Sequence, residues 1–309
     1  MKKLLLMLCW SSLLTGTMIL PAGCGLTKTQ KTGIATFGQA AATLGAAGKE
    51  GLQGGRDNVI GMKGLRLAIE RKTLSAAKPD GKPADRGFYA EELNLDSGLD
   101  PDNIEKRVNS LELLIQYGNL LVAFSEGTQE KELTAASDSF KKSVKKFPGN
   151  PLSADEIDGL GQVVVVAGKM WIENEKKEAL EKIIPTVSPL IKKLCSDLET
   201  DFDPQKKGMA ADIYNAQDRL ANEAINGLKR TGESMSDRLL LIDGFALADR
   251  NKAELETTSR NLLKAVASLR QADDKLVSLI ADNKITLDEI KAFADDAGDL
   301  AKAVKPFLH

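Results

Sequence analysis

The side chains that most often carry catalysis or bind metals are scarce in this sequence. Its 309 residues include one histidine, His309, and three cysteines. Zinc sites with histidine ligands and Ser-His or Cys-His catalytic centres all require a positioned imidazole. A histidine at the final position supplies one only if the chain terminus reaches the site. We therefore expect no metal and no cofactor, and we expect that the chain is not an enzyme.

Carboxylates are the other route to chemistry, and one segment that contains them is similar to part of a metal site. Residues 284–290 resemble the second half of an EF-hand calcium loop, in which Glu289 would be the bidentate ligand. The first half lacks the pattern, because Ser278 and Ile280 stand at ligand positions and Asn283 replaces the glycine. A capping box at the start of a helix explains the same residues without calcium.

Two clusters of charge are candidate partner surfaces. An acidic cluster on neighbouring positions of one predicted helix would suit a cation or a basic partner: Asp295, Asp296 and Asp299. A basic cluster opposite the apolar stripe of another predicted helix would suit anionic lipid head groups: Lys141, Lys142, Lys145 and Lys146. For each cluster the alternative is an exposed helix face that contacts only water.

The first 25 residues carry a secretory signal pattern. Lys2 and Lys3 precede an apolar stretch over residues 4–20 that only Ser, Thr and Gly interrupt. The sequence Ala-Gly-Cys then follows at 22–24 and resembles the lipobox of bacterial lipoprotein precursors. The resemblance implies that residues 1–23 are removed and that Cys24 is diacylated and becomes the new N-terminus. It also implies an envelope location, at the outer membrane, because Gly25 rather than aspartate follows the cysteine.

Ordinary signal cleavage is the alternative, and it would leave Cys24 free to form a disulfide with Cys195. If Cys24 is acylated, Cys195 is the only thiol left in the mature chain. It follows Leu194 on an apolar helical face, where a lone cysteine is typically a small core residue. No histidine is available nearby in the sequence to activate it as a nucleophile.

Composition and charge are those of a globular domain. Apolar residues make up 42% and charged residues 28%, which excludes a wholly disordered chain. Asp and Glu total 44 against 42 Lys and Arg, and loss of the leader would remove two of the lysines. A slightly acidic chain gives no reason to expect nucleic acid as a partner.

Apolar residues recur at three- and four-residue spacing along nearly the whole mature chain, and no strand pattern is convincing. We therefore predict an all-α fold, an irregular antiparallel bundle of about seven to nine helices over residues 33–309, joined to the lipid by a tether over 24–32. The first helix, about 33–75, places Gly48, Gly51 and Gly55 on its apolar face. Close approach of a neighbouring helix would justify these glycines. A transmembrane hairpin is the alternative.

A loop or linker is predicted over about 76–103, because six of its residues are proline or glycine. Phe88 and Tyr89 within it could pin the loop to the bundle or form part of a binding surface. Asp100 is predicted to cap the next helix, with Pro101 in its first turn.

The remaining helix boundaries follow from caps and breakers. We predict helices over about 129–147 and 153–184, a break at Pro185 and Pro189, and a further helix to Phe202. Capping boxes begin at Ser153 and Thr286, and the second starts a final helix to about residue 305. The long region between 204 and 282 has candidate breaks at 231–232 and 243–244.

Together these features predict a lipid-anchored envelope protein with a non-enzymatic role, either binding another envelope protein or supporting an assembly. Two alternatives stay open. One is an inhibitor or immunity lipoprotein that blocks an envelope-acting toxin or hydrolase. The other is a carrier that holds lipid or another small ligand in a cavity between its helices.

Overall fold

The computed structural model describes residues 26–70, 93, 95, 99–126, 130–170, 173–281, 287–288, 290–291, 294–295 and 298. These residues contain seven helices and no strand, so the all-α prediction is confirmed. The helices are α1 (Lys28–Ile69), α2 (Pro101–Glu126), α3 (Glu130–Lys146), α4 (Ala154–Met170), α5 (Glu173–Phe202), α6 (Met209–Leu228) and α7 (Met235–Ala281).

The first helix of the bundle begins at Lys28, inside the segment 24–32 that was predicted to be a tether. Thr27 caps α1 through a capping box with Gln30, whose backbone N–H donates to the Thr27 hydroxyl at 3.2 Å. Leu26 and Gln30 are both buried. Residues 28–32 are therefore the first turn of a helix that is fixed to the core, and the predicted tether over 24–32 is too long.

Glycines of α1 permit close contact with α2, and of the three glycines in the prediction only Gly48 takes part in it. A Cβ placed on Gly38 would lie 2.6 Å from the carbonyl oxygen of Gly118, and one placed on Gly118 would lie 2.9 Å from the backbone nitrogen of Ala42. Further along, the open space beside Gly48 is filled by Leu111. Glycine costs about 1 kcal/mol in a helix interior, and here the close packing of two backbones compensates for that cost.

Two of the predicted helix starts depend on local hydrogen bonds that are present. The Asn103 N–H donates to Asp100 Oδ1 at 3.0 Å and caps α2. The Ser153 N–H donates to Glu156 Oε2 at 2.7 Å, and the Glu156 N–H donates to Ser153 Oγ at 3.2 Å. The second capping box, at Thr286 and Glu289, lies outside the described residues.

α5 contradicts the predicted break at Pro185 and Pro189, because it is continuous through both prolines. A proline in a helix interior costs roughly 3 kcal/mol. Around the prolines, Ile184, Val187 and Leu190 are all fully buried. Burial of side chains of this size contributes about 1.5–3 kcal/mol each, so that the three together are of the same order as the cost of the two prolines. The predicted helix over 153–184 is described in two parts, α4 to Met170 and α5 from Glu173, and the two residues between them lie outside the described residues.

Of the two helix breaks predicted around α7, the one before the helix is present and the one within it is absent. Gly232 has a φ of +88°, and the chain turns there between α6 and α7. At 243–244 the prediction is wrong, because α7 continues without interruption. A Cβ placed on Gly244 would lie 2.9 Å from Ile69 Cδ1. This glycine therefore makes room for the end of α1 and does not end the helix.

The two longest helices, α1 and α7, lie antiparallel along the bundle. At one end the Gln30 side chain donates to the carbonyl oxygen of Leu279 at 3.0 Å, and at the other end Ile69 packs at Gly244. We call the first end the base and the second end the tip. At 1.5 Å per residue, the 42 residues of α1 separate the base from the tip by about 60 Å.

The bundle is thicker towards the base. Helices α2 and α5 pack against α1 and α7 there, and α3 and α4 form an outer pair on them. Among the described residues, the half towards the tip consists mainly of α1, α6 and α7. Leu241 of α7 fills the space beside Gly227 of α6 in this narrower half.

The close contact of α1 with α2 predicts a position-dependent effect of alanine. We expect Gly118→Ala to lower the free energy of unfolding by about 1–3 kcal/mol, because the added methyl group meets backbone atoms that cannot move aside. Gly64→Ala on α1 is the matched control, since a Cβ there meets nothing within 4 Å. It should raise the free energy of unfolding by about 0.5–1 kcal/mol. Urea unfolding followed by circular dichroism measures both, and equal effects would contradict the close contact.

Candidate functional site

Large apolar side chains are exposed in the first three turns of α7, at the tip. We call them the tip patch: Met235, Leu239, Leu240, Ile242 and Phe245. Their exposed fractions extend from 37% at Leu240 to 74% at Met235. Single exposed apolar residues are common on soluble proteins. Five of them within three turns of one helix are typical of an interaction surface.

The tip patch is exposed because α7 is apolar on more than one side there. Residues 239–242 are four consecutive apolar residues, and four positions span about 300° around a helix. α7 buries only the side that contains Leu241, Gly244 and Ala248. The neighbouring helices cover that side alone. The run of four apolar residues was the available sequence signal, and our sequence reasoning missed it.

Charged residues surround the tip patch. Arg230 precedes α7, while Arg238 and Asp243 lie between the apolar positions of its first turns, and all three are exposed. An apolar centre with a polar rim of mixed charge is the usual composition of a protein–protein interface. The rim has no single dominant sign of charge.

The predicted basic cluster lies on α3 and is partly paired. Lys141 Nζ lies 3.1 Å from Asp138, and Lys145 Nζ lies 3.5 Å from Asp158 of α4. Lys142, Lys145 and Lys146 line a surface groove of about 460 Å³ between α2 and α3.

An acidic residue lies in the same groove. Glu112 of α2 lines it beside the lysines. Its pKa is lowered, first by a hydrogen bond from Gln116 and then by Lys49, with a contribution from Lys146. The groove therefore combines both signs of charge and is not a uniformly basic surface.

The basic cluster lies on the side of the bundle, from the level of Phe37 on α1, which contacts Tyr117 beside Phe140, to the level of Lys49. Lys49 pairs with Glu112 at 2.9 Å beside this groove. Counted along α1, Lys49 is about 30 Å from the base. The lysines are therefore at neither end of the bundle.

Most of the other predicted site residues fall outside the described part of the chain. These are Cys24, Phe88, Tyr89, Asp296 and Asp299, together with residues 282–286 and Glu289 of the calcium-like segment. Asp295 is described and exposed. Within the described residues, no group of three or more His, Cys, Asp or Glu side chains could hold a metal ion.

Cys195 is fully buried on α5 as a free thiol. Burial raises the pKa of this thiol to about 12. The group is therefore protonated at neutral pH, and the interpretation of Cys195 as a core residue rather than a nucleophile is supported.

A buried carboxyl group, Asp273 of α7, contacts α5 in the core. Its Oδ2 accepts a hydrogen bond from the Ser188 hydroxyl at 2.5 Å, while its Oδ1 has no hydrogen-bond partner. Burial raises the pKa of Asp273 to about 6, although Ser188 and Lys192 act in the opposite direction. Lys192 is itself paired with Asp274 at 2.8 Å on the surface.

Comparisons with protein-family models, with curated proteins and with solved structures find no match to this chain. None of the helices in the described ranges has both the length and the apolar character needed to cross a membrane. Function must therefore be inferred from the surfaces and cavities of the bundle.

The raised pKa of Asp273 predicts a pH dependence of stability. The folded chain holds this proton up to about pH 6, whereas the unfolded chain releases it near pH 3.8. The contribution of Asp273 to stability is therefore greatest below pH 3.8 and is lost as the pH rises to about 6. Asp273→Asn removes the charge. The free energy of unfolding of this variant, relative to that of the wild type, should therefore increase across this range by up to about 3 kcal/mol.

The measurement is urea unfolding at pH 4.5, 5.5 and 7.5. An exposed aspartate elsewhere on α7 provides the matched control, Asp249→Asn, which should not gain stability over the wild type as the pH rises. Parallel pH profiles for Asp273→Asn and the wild type would contradict this account of the buried carboxyl group.

Proposed function

We propose that this chain is a lipid-anchored protein of the bacterial cell envelope that binds another envelope protein without catalysis. The observation that carries the proposal is the tip patch, which is exposed at the end of the bundle opposite to Leu26. The proposed anchor and the proposed binding surface are therefore at opposite ends of an elongated body.

The connection between the proposed anchor at Cys24 and the base of the bundle is short. Cys24 precedes Leu26 by two residues, which span at most about 7 Å. Leu26 is buried and Thr27 caps α1, so the rigid body begins directly after this short connection. Acyl chains on Cys24 would therefore hold the base of the bundle at the membrane surface.

The same geometry favours a protein over lipid as the occupant of the tip patch. When the base contacts the membrane and α1 points away from it, the tip lies about 60 Å from the anchoring leaflet. Apolar side chains at that distance do not contact that leaflet. An apolar surface on a second protein would remove them from water.

The size and composition of the tip patch suit a weak or transient contact. Five apolar side chains form a small interface centre, and stable complexes usually bury larger areas. Confinement of both partners to one envelope raises their effective concentration, so that weak contacts are sufficient. The outer membrane, implied by the lipobox resemblance, is the proposed location.

The proposal predicts that charged side chains introduced into the tip patch prevent binding of the partner. We expect the double variant Leu239→Lys and Ile242→Lys to lower the yield of one crosslinked partner in cells by about tenfold or more, because the interface would have to bury uncompensated charges. Both residues are exposed, so the free energy of unfolding should change little. The control is Ala267→Lys, an exposed position of α7 in the base half.

The crosslinked partner is identified by mass spectrometry, and a Cys24→Ala chain tests the contribution of the anchor. A dominant partner that depends on the tip patch and weakens without the anchor supports the proposal. If the dominant crosslinked partner is an envelope toxin or hydrolase, the result would favour the role of an inhibitor for this chain. Equal recovery from the double variant and from Ala267→Lys would show that the tip patch is not the binding surface.

A further inference from the structure

The exposed side of α7 at the tip has a short coiled-coil pattern. Apolar residues recur there at spacings of four, three and four residues, which is the spacing of the d and a positions of a heptad. We call these residues the tip seam, at positions d, a, d and a: Met235, Leu239, Ile242 and Ala246. All four are exposed. The pattern is typical of a helix that packs against a second helix.

The tip seam faces away from the bundle. α7 packs on α1 and α6 through a buried set of residues that includes Leu241, Gly244 and Ala248. At 3.6 residues per turn, the centre of this buried set lies about 180° around the helix from the centre of the tip seam. A second helix can therefore lie along the tip seam without displacing either neighbour.

Two exposed charged residues flank the tip seam on opposite sides. Arg238 occupies position g of one heptad, and Asp243 occupies position e of the next, five residues later. In a parallel pair of helices in register, a residue at g lies beside the residue at e of the following heptad on the partner helix. Two identical chains would therefore form two pairs of opposite charge, each between Arg238 of one copy and Asp243 of the other.

The tip seam is short, and the sequence ends it at a defined residue. Asp249 occupies the next d position, where two copies would bring two carboxylates together. A coiled coil is usually sustained over roughly three to four heptads. Confinement of both copies to one membrane raises their effective concentration, so that a shorter contact is sufficient.

We propose that the partner at the tip patch is a second copy of this chain, packed in parallel along the tip seam and paired through Arg238 and Asp243. This inference rests on the proposed function, because it takes the tip patch as a protein-binding surface and Cys24 as the anchor. Two copies anchored in one membrane have their bases at the membrane and their tips at the same height, which makes their α7 helices parallel. An antiparallel pair would bring g positions beside g positions, so that Arg238 would lie near Phe245 and not near Asp243.

The test is disulfide crosslinking of the acylated chain in cells, with copper phenanthroline as the oxidant. In the parallel pair each d residue lies opposite its own copy, so Met235→Cys should give a covalent homodimer. Acylated Cys24 has no free thiol and Cys195 is buried, so the introduced cysteine is the one that reacts. In an antiparallel pair Met235 would lie opposite Ala246, about 16 Å along the helix from its own copy, and this dimer would not form. The control for chance collisions is Ala267→Cys, an exposed position of α7 in the base half.

Charge reversal tests the register, with the yield of the Met235→Cys dimer as the measurement. Arg238→Asp alone and Asp243→Arg alone each place like charges together, and each should lower the yield by about fivefold or more. Both residues are exposed, so the free energy of unfolding should change little. When the two single variants are produced together with different tags, opposite charges meet between unlike chains. The mixed dimer should then form in preference to either dimer of like chains.

Two results would overturn the inference. One is a Met235→Cys dimer no more abundant than the Ala267→Cys dimer, and the other is no preference for the mixed dimer. If a different protein is crosslinked in a manner that Leu239→Lys and Ile242→Lys abolish, the proposed function stands and this inference fails. If those two substitutions leave every crosslink unchanged, the proposed function fails as well.

Discussion

The glycines of α1 are the constraint on which the rest of this bundle depends. In the base half, α2 packs against one side of α1 so closely that a methyl group on Gly38 or Gly118 would meet backbone atoms of the other helix. On another side of α1, towards the tip, a narrow groove remains beside Gly51 and Gly55, and side chains of α6 and α7 form its opposite walls. Glycines on different sides of α1 therefore allow close packing in one half of the bundle and leave a groove beside the helix further along.

Local signals predicted the fold well, and non-local packing accounts for the errors. The starts of α2 and α4 follow from side chains that bond to the backbone three residues away, at Asp100 and Ser153. The breaks predicted at Pro185 and at Gly244 are wrong for a different reason. Pro185 is exposed, but its neighbours Ile184 and Val187 are buried in the core, while Gly244 makes room for Ile69 of α1. These contacts depend on which helices become neighbours, and the sequence does not state this directly.

The candidate surfaces were less predictable than the fold. The charge clusters were visible as runs of lysine or aspartate, but the pairing of Lys145 with Asp158 depends on how α3 and α4 pack. The tip patch required knowledge of which side of α7 is covered. Gln217 of α6 and Asn251 of α7 are buried side chains that each have one atom without a hydrogen-bond partner, and they line the same groove only because the folded bundle places their two helices side by side.

The central claim is that the base is held at a membrane while the tip faces away from it towards a protein partner. Energy transfer from a dye at Ile242→Cys to labelled lipids, with the acylated protein on vesicles, tests it most directly. Cys195 is buried and will not compete for the dye. The account predicts a dye about 60 Å from the bilayer surface. A dye in contact with the bilayer would contradict it, because the tip patch would then be a membrane contact.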